Sequence, residues 1–485
     1  MDLRIAAIAS LAAVLYLALS ARLKAVVCLF VMTNCFDLLP QIIDGIQVWD
    51  VGAIMLLVLW IQLVVTTRWR PAPRSGYVMA LRLFYGWLLV CLAWSLLVER
   101  HPALNTLKTS RQMLVGYLSL PVFLRLFAAD EKAFGTVTRT VYLVLWLLLS
   151  VYVAQFFLGR KLLFGLAGNY GDALRAIPSF LPIGMFYMWR TAANLLAGGK
   201  TPWHEKIYFG LVLMVIAFTF TRGIYLVALL GFGLLLIAMM SRGTIQGKSV
   251  IGFGALAVVL VVGLGSTGAG QLVLRRFSSG VGLVTSQAGK TTEVDPDTYT
   301  GRIGLLRERM QLVWEVNPLV GFAFLHQEDV PRSVQARLHY GTAASDEDTD
   351  ARAVRTHYGM YDLRTPDIGW ADIVVDSGYV GCALFLWFVV MLFRVELPRR
   401  GSPWMPITAW RVASYIQTVA VAVLMAESDG FVRNVQIVCF ILACGLHCAE
   451  LARRSELVDE SGARPASIRS IGFRPANLLD CRAAA

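Results

Sequence analysis

Charged residues are scarce in this sequence. Asp, Glu, Lys and Arg make up 16% of its 485 residues, and hydrophobic residues make up 57%, whereas a soluble domain carries about 25% charged residues. This composition excludes an ordinary soluble domain. It predicts an all-α polytopic membrane protein.

Cysteine pairs and phosphate-binding loops are also missing. None of the eight cysteines forms a CxxC pair, and no Walker phosphate loop occurs. We therefore expect no disulfides, no metal site and no nucleotide cofactor. The acidic residues at 346–350 indicate a solvated face rather than a set of metal ligands.

Long apolar runs fill most of the chain. Runs of about 17 to 25 apolar residues can cross a bilayer, and here they predict about thirteen transmembrane helices, within a range of about 12–14. We place them at about 4–21, 24–39, 50–67, 77–97, 109–127, 134–158, 178–197, 206–220, 223–241, 249–267, 368–393, 406–426 and 431–451.

One long polar segment interrupts this pattern and divides the chain into four regions. We expect N-terminal transmembrane helices in 1–267, a large external loop in 268–366, C-terminal transmembrane helices in 367–452, and a disordered cytoplasmic tail in 453–485. The loop is partly helical: apolar residues recur at helical spacing over about 300–316, and Asn-Pro ends that stretch.

Basic residues predict the orientation. They cluster in alternate short connections, which the positive-inside rule places in the cytoplasm. The large loop then faces the periplasm or exterior, in a multi-pass protein of the inner (cytoplasmic) membrane. This anchoring explains much of the net charge of +12, so we expect the lipid bilayer, and no nucleic acid, as a partner.

Arginines near the external ends of spans are candidate ligand-binding residues. Arg222, in "FTFTRGIYLVALL", lies between two apolar runs with almost no loop, and Arg175 precedes another span. Guanidinium groups fixed between packed helices suit a phosphate ligand. The alternatives are an Arg222 that snorkels to lipid headgroups and, near Arg175, an ordinary first helical turn with Pro178. Arg302 and Arg309, seven residues apart on the loop helix, extend this basic surface.

These motifs, in this order, resemble the O-antigen ligase and polymerase family, which includes exopolysaccharide polymerases. The resemblance covers about 175–395. The matching residues are Arg222-Gly223, Arg302 with Trp314, Asn317-Pro318-Leu319-Val320-Gly321 and Gly378-Tyr379-Val380-Gly381. Ligases of this family tend to carry a histidine where this chain has Asp367, and the stretch "PDIGW" is similar to the polymerase branch.

The resemblance implies a fold similar to the C-type membrane glycosyltransferases. It implies a metal-independent and cofactor-independent polymerase whose donor and acceptor are undecaprenyl-diphosphate-linked oligosaccharides. Arg222 and Arg302 would stabilise the diphosphate leaving group, with Arg175 and Arg309 as further substrate-binding residues. A chain-length regulator and export proteins are further candidate partners. Two alternatives stay open: an O-antigen ligase that transfers the glycan to a lipid A core, and a transporter of lipid-linked sugars.

Asp367 is the candidate catalytic base. An acceptor hydroxyl is a poor nucleophile at neutral pH, and a base within hydrogen-bond reach accelerates such reactions by about a hundred- to ten-thousandfold. Trp370 could stack on a sugar ring, and His357 precedes the re-entry into the membrane and could approach the site. The alternatives are a helix N-cap for Asp367 and a surface position for His357.

Overall fold

The structure is a computed structural model that describes residues 14–33, 42–43, 46–66, 75–160, 162, 169–170, 173–174, 180–219, 221–241, 243, 245, 247, 271, 299–340, 363–364, 369–396, 406–425 and 437–447. The helices before the long loop are α1 Ala21–Thr33, α2 Val48–Thr66, α3 Gly76–Leu97, α4 Ala103–Ala129, α5 Glu131–Leu158, α6 Leu181–Leu196, α7 Trp203–Phe218 and α8 Arg222–Met240. The loop carries α9 Tyr299–Val316, a 3-10 turn at Gln327–Asp329 and α10 Arg332–Tyr340, and it is followed by α11 Gly369–Glu396, α12 Pro406–Leu424 and α13 Ile437–His447.

Two short antiparallel ladders interrupt the helical pattern, and both lie in connections between helices. Ile42–Ile43 pairs with Ile46–Gln47, with Ile42 opposite Gln47. Asn169–Tyr170 pairs with Ala173–Leu174, with Asn169 opposite Leu174. Each strand has two residues, so the described architecture remains a bundle of helices.

Several helices are long and apolar enough to cross a membrane. Within the described ranges there are four: Gly76–Leu97, Lys132–Leu158, Gly223–Met240 and Gly369–Arg394. A fifth span results if the bent pair in α4, whose two parts meet at 49°, is counted as one. These helices coincide with predicted spans and support the helical membrane class. The total of about 12–14 stays a prediction, since several predicted spans lie partly outside the described residues.

Local signals explain where two of the long helices begin and end. Ser75 precedes α3, and its hydroxyl accepts the Val78 N–H at 3.4 Å. Asp130 precedes α5, and its carboxylate accepts the Lys132 N–H at 3.1 Å. These side chains satisfy N–H groups that have no partner inside the helix. Gly159, with φ of 61°, ends α5 in the left-handed conformation that glycine tolerates best.

The core between α6 and α8 depends on one glycine. Trp189 of α6 is fully buried and lies directly on Gly231 of α8, where an added Cβ would be 2.4 Å from the indole ring. Gly233, two residues further along α8, has open space around it. The absence of a side chain at Gly231 therefore lets the two helices approach each other closely.

Contacts between α3 and α11 show that these helices run antiparallel. Trp87 of α3 donates its indole N–H to the Ser377 carbonyl of α11 at 2.8 Å. Gly76, at the start of α3, lies against Met391 near the end of α11. The end of α3, the start of α4 that follows it closely, and the start of α11 therefore lie at one end of the bundle.

The start of α8 lies at that same end. The Phe156 ring of α5 stacks on the Phe218 ring of α7 at 3.5 Å, and Tyr142 of α5 lies 4.9 Å from Tyr208 of α7, so α5 and α7 run parallel. At the start of α11 the Trp370 indole N–H donates to Ala422 near the end of α12. Near the start of α12, Trp410 lies under Arg190 of α6, which pairs with Glu205 in the first turn of α7. The start of α7 therefore lies at the opposite end of the bundle, and its final residues lie at the end where α11 begins. Arg222, which begins α8 directly after α7, therefore lies at this end as well.

The long loop is attached to this end, which we call the loop end. Asn105, in the first turn of α4, donates its side-chain N–H to Asp329 in the 3-10 turn of the loop at 2.9 Å. The opposite end carries an ion pair between Arg22 and Asp130, in which Arg22 Nη2 lies 2.9 Å from Asp130 Oδ1. The Asn105–Asp329 hydrogen bond thus marks the loop end, and the Arg22–Asp130 ion pair marks the opposite end.

Candidate functional site

The two glycine motifs of the sequence interlock at the loop end. Gly378 interrupts α11 with φ of 65° and ψ of −170°, and Gly321 has φ of 66°. A Cβ on Gly378 would be 2.1 Å from the Leu319 carbonyl oxygen, and a Cβ on Gly321 would be 2.4 Å from the Val375 carbonyl oxygen. Positive φ is a conformation that glycine adopts readily, and the close backbone approach leaves no room for a side chain at either position.

The interruption of α11 is satisfied by hydrogen bonds from the loop. In a continuous helix the Val375 carbonyl would accept the Tyr379 N–H. Here the Val375 carbonyl accepts the Phe322 N–H at 2.7 Å, and the Tyr379 N–H donates to the Pro318 carbonyl at 2.9 Å. One helical hydrogen bond is therefore replaced by two bonds to the loop, which leaves both backbone groups paired.

The loop helix α9 is held against α11 by side chains as well. The Tyr379 hydroxyl donates to the Met310 carbonyl at 2.9 Å, and the Tyr379 ring meets the Trp314 ring edge-on at 5.8 Å. Leu312 and Val313 are buried in the core beneath the loop. The predicted helix over about 300–316 is confirmed as Tyr299–Val316, and its C-terminal half is fixed to the membrane helix.

A buried ion pair joins the end of the loop to α11. The Arg364 guanidinium binds both carboxylate oxygens of Asp376, with Nε lying 3.1 Å from Oδ2, and Nη1 donates to the Leu325 carbonyl at 2.9 Å. The Leu363 N–H donates to Gln327 Oε1 at 2.8 Å. The Arg364 and Asp376 side chains are only 16% and 6% exposed. The chain segment that leads into α11 is therefore tied to both α11 and the loop.

The described site residues occupy different surroundings. Arg222 is the first residue of α8, and Arg302 lies in α9 two turns before Arg309; the side chains of Arg222 and Arg302 are outside what the structure describes. Arg309 is fully buried, and its Nη1 lies 2.7 Å from Glu308 Oε1. The apolar spacing of α9 did not predict a buried arginine, because it placed the core-facing stripe on apolar residues alone.

Trp370 takes part in packing between α11 and α12. Its indole N–H donates to the Ala422 carbonyl at 2.9 Å, and its half-buried ring lies 5.5 Å from the Phe385 ring. The predicted stacking of Trp370 on a sugar stays a prediction. The other predicted site residues lie outside the described residues: Arg175, His357 and Asp367.

Sequence reasoning missed the ion pair of Arg364 with Asp376. A signal existed for one partner, since buried acids within a span are rare and functional by default, and Asp372 and Asp376 both lie in α11 and are buried. The other partner carries no such signal. Arg364 lies in the polar loop, where an arginine is unremarkable until the chain folds back onto α11.

No group of three or more metal-binding side chains occurs within the described ranges. The acidic run at 346–350 lies outside them, so metal independence stays a prediction. No protein-family model matches the chain, and no curated protein matches it significantly. The family resemblance therefore depends on the sequence motifs alone.

Proposed function

We propose that this chain is a membrane glycosyltransferase that joins polyprenyl-diphosphate-linked oligosaccharide repeat units into a polysaccharide, on the outer face of the inner membrane. The fold would be that of the C-type membrane glycosyltransferases. The observation that carries the proposal is the interlock of Gly321 with Gly378. Apart from Arg222-Gly223, the family resemblance depends mostly on two segments, 317–321 and 378–381. These segments are far apart in the chain, yet backbone hydrogen bonds join them in the structure.

The common position of the relevant elements at the loop end also supports the proposal. The start of α8 at Arg222, the start of α11 two residues after Asp367, and the attachment of the loop all lie at this end. A lipid-linked donor has its diphosphate at the bilayer surface. Groups that act on it must therefore gather at one end of the bundle.

The proposed reaction is a displacement at the anomeric carbon of the donor. The acceptor hydroxyl oxygen forms a bond to that carbon while the bond from the carbon to the diphosphate oxygen breaks. The hydroxyl proton passes to Asp367, and the bonding electron pair leaves with the polyprenyl diphosphate. Arg222 and Arg302 would offset the negative charge that develops on the leaving group, and fixed donors of this kind act strongly in a site that excludes water.

The first test concerns the arginines. The purified chain in lipid nanodiscs would be supplied with undecaprenyl-diphosphate-linked oligosaccharides from the native cells, and products would be resolved by size. Arg222→Lys and Arg302→Lys should each lower the rate by about a hundredfold or more, because lysine keeps the charge but loses two-point binding. Arg307→Lys is the matched control, since Arg307 is an exposed residue of the same helix α9.

The products also separate the alternatives. A ladder that grows by one repeat unit supports the polymerase. Transfer only to an added lipid A core would identify a ligase, and movement of the lipid-linked sugar across the bilayer without joining would identify a transporter. If Arg222→Lys gives an unchanged polymer yield at a normal protein level, Arg222 does not stabilise the leaving group, and contact with lipid headgroups becomes its expected role.

The second test concerns Asp367. Asp367→Asn preserves a helix N-cap but cannot accept the proton, so a folded protein with activity reduced by about a hundredfold or more supports the base. If Asp367→Asn joins repeat units at the wild-type rate, Asp367 is not the base, and a helix N-cap is its expected role. The search would then move to Asp372, Asp376 or His357.

A further inference from the structure

The loop helix α9 has two different faces. Residues three and four positions apart are neighbours on the surface of a helix. The residues of the buried face are Arg309, Leu312 and Val313. The opposite face has the same spacing, and its residues are exposed: Gln311, Trp314 and Glu315. The Gln311 side-chain N–H donates to Glu315 Oε1 at 3.3 Å. These three side chains therefore form one surface, which we call the exposed face of α9.

Contacts with α11 place this face deep in the bundle. Trp87 lies eleven residues after the start and ten before the end of the span Gly76–Leu97. Its indole N–H donates to the Ser377 carbonyl of α11 at 2.8 Å, so Ser377 is level with the middle of that span. The Tyr379 ring, two residues further along α11, meets the Trp314 ring at 5.8 Å. The second half of α9 therefore lies within the depth of the membrane-spanning helices.

The polar side chains of this face indicate water at that depth. Acidic side chains within a bilayer almost always face the interior of a bundle or a water-filled cavity. Glu315 is exposed, so it does not lie in the packed interior. Gln311 beside it is exposed as well. The surface that these two residues form with Trp314 therefore faces a water-filled cavity.

The chemistry of the face suits a glycan. A carboxylate accepts hydrogen bonds, and an amide both donates and accepts them, so Glu315 and Gln311 together match the hydroxyl groups of a sugar. The Trp314 indole is 66% exposed and offers a flat apolar ring with its own N–H donor. The Glu315 carboxylate repels an anionic diphosphate. The uncharged, hydroxyl-rich part of a lipid-linked substrate is therefore the better match.

We propose that the exposed face of α9 lines a water-filled cavity that opens at the loop end and reaches the middle of the bundle, where it holds the glycan of the lipid-linked substrate. The choice of a glycan rests on the proposed function, whereas the cavity follows from depth and charge. Gln311 and Glu315 bind sugar hydroxyl groups, and the Trp314 ring covers one face of a sugar ring.

The first test measures access of water at two positions of similar depth. Gln311→Cys and Leu89→Cys in the full chain, in lipid nanodiscs, would be treated with a charged maleimide, and intact mass would count the added label. Leu89 of α3 is 44% exposed. It lies two residues from Trp87, and therefore on the side of α3 turned away from α11. The wild-type chain gives the background from the native cysteines.

The cavity predicts that Gln311→Cys is labelled and that Leu89→Cys stays at the background. Equal labelling of both positions would overturn the proposal, because this level would then lie in water outside the bilayer. A background value at Gln311→Cys would also overturn it, because lipid or a second copy would then cover the face. If Gln311→Cys folds poorly, Glu315→Cys, one turn along the same face, decides in its place.

The second test identifies the ligand. Undecaprenyl-diphosphate-linked oligosaccharide from the native cells should protect Gln311→Cys from the maleimide, and undecaprenyl diphosphate without sugar should not. Trp314→Leu should bind the glycosylated carrier about tenfold more weakly. Trp203→Leu is the matched control and should bind normally, because Trp203 is 71% exposed and lies at the opposite end of the bundle.

The outcomes separate the glycan site from the proposed polymerase. Equal protection by both carriers, or by neither, would overturn the glycan site. Protection by the glycosylated carrier alone, without any joining of repeat units, would support the glycan site and refute the polymerase. Joining of repeat units without such protection would support the polymerase and refute the glycan site.

Discussion

Replacing Gly378 by alanine should open the contact between the loop and α11. Gly378 has φ of 65° and ψ of −170°, a region that is essentially restricted to glycine and in which another residue costs about 1–3 kcal/mol. The added Cβ would also be 2.1 Å from the Leu319 carbonyl oxygen. Backbone atoms cannot rotate away as a side chain can, so the loop segment has to move by about 1 Å for ordinary contact to be restored.

Such a movement breaks the two hydrogen bonds that join the segments. Each backbone hydrogen bond contributes about 0.5–1.5 kcal/mol. Together with the conformational strain, the local free energy of opening should fall by about 2–6 kcal/mol. A change of about 3 kcal/mol corresponds to a population of the open state that is about a hundredfold larger.

Hydrogen exchange measured in nanodiscs checks this magnitude. The amides to follow are Phe322 and Tyr379, which form the two bonds across the interlock. In Gly378→Ala both should exchange about a hundredfold faster or more. Exchange at the wild-type rate would show that the two segments do not depend on each other.

Two control glycines separate the contributions. Gly159 has φ of 61° and nothing within 4 Å, so Gly159→Ala should add only about 1–2 kcal/mol of backbone strain. Gly86 lies within α3 in open space, and Gly86→Ala should stabilise that helix by about 0.5–1 kcal/mol. If Gly378→Ala behaves like Gly159→Ala, the close approach to the Leu319 carbonyl contributes nothing.

Two further predictions concern packing and charge. Gly231→Ala should lower the apparent melting temperature in detergent, because the added methyl group would lie 2.4 Å from the buried Trp189 indole ring. Gly233→Ala is the control and should leave the melting temperature unchanged, because Gly233 has open space around it. Equal shifts for the two variants would argue against the close packing of α6 on α8. Asp376→Asn should destabilise the loop by about 3 kcal/mol, since it leaves a buried guanidinium without its counter-charge, and faster exchange at Leu363 would report it. Asp50→Asn, which breaks a more exposed pair, should cost at most about 1 kcal/mol, and a larger cost than for Asp376→Asn would contradict the assignment.

The sequence determined the class of the protein and the positions of its helices. Hydropathy predicted spans at about 77–97, 223–241 and 368–393, and the structure has long apolar helices at Gly76–Leu97, Gly223–Met240 and Gly369–Arg394. The loop helix was also predictable, and it ends at Val316, directly before Asn317-Pro318, as expected. These features depend on neighbouring residues, because helix length, apolar spacing and a following proline all act within a few turns of the chain.

Only the tertiary structure decided how these helices form a candidate site. The sequence marks Gly378 as part of a Gly-x-x-Gly motif but does not reveal its positive φ, which accompanies the transfer of the α11 hydrogen bonds to the loop backbone. Arg309 is fully buried, although a charged residue in a polar loop is expected at the surface. Arg364 finds Asp376 only after the loop returns to the membrane. These contacts join residues that are far apart in the chain. Long-range packing decides which residues meet, and the local pattern of a sequence does not predict it.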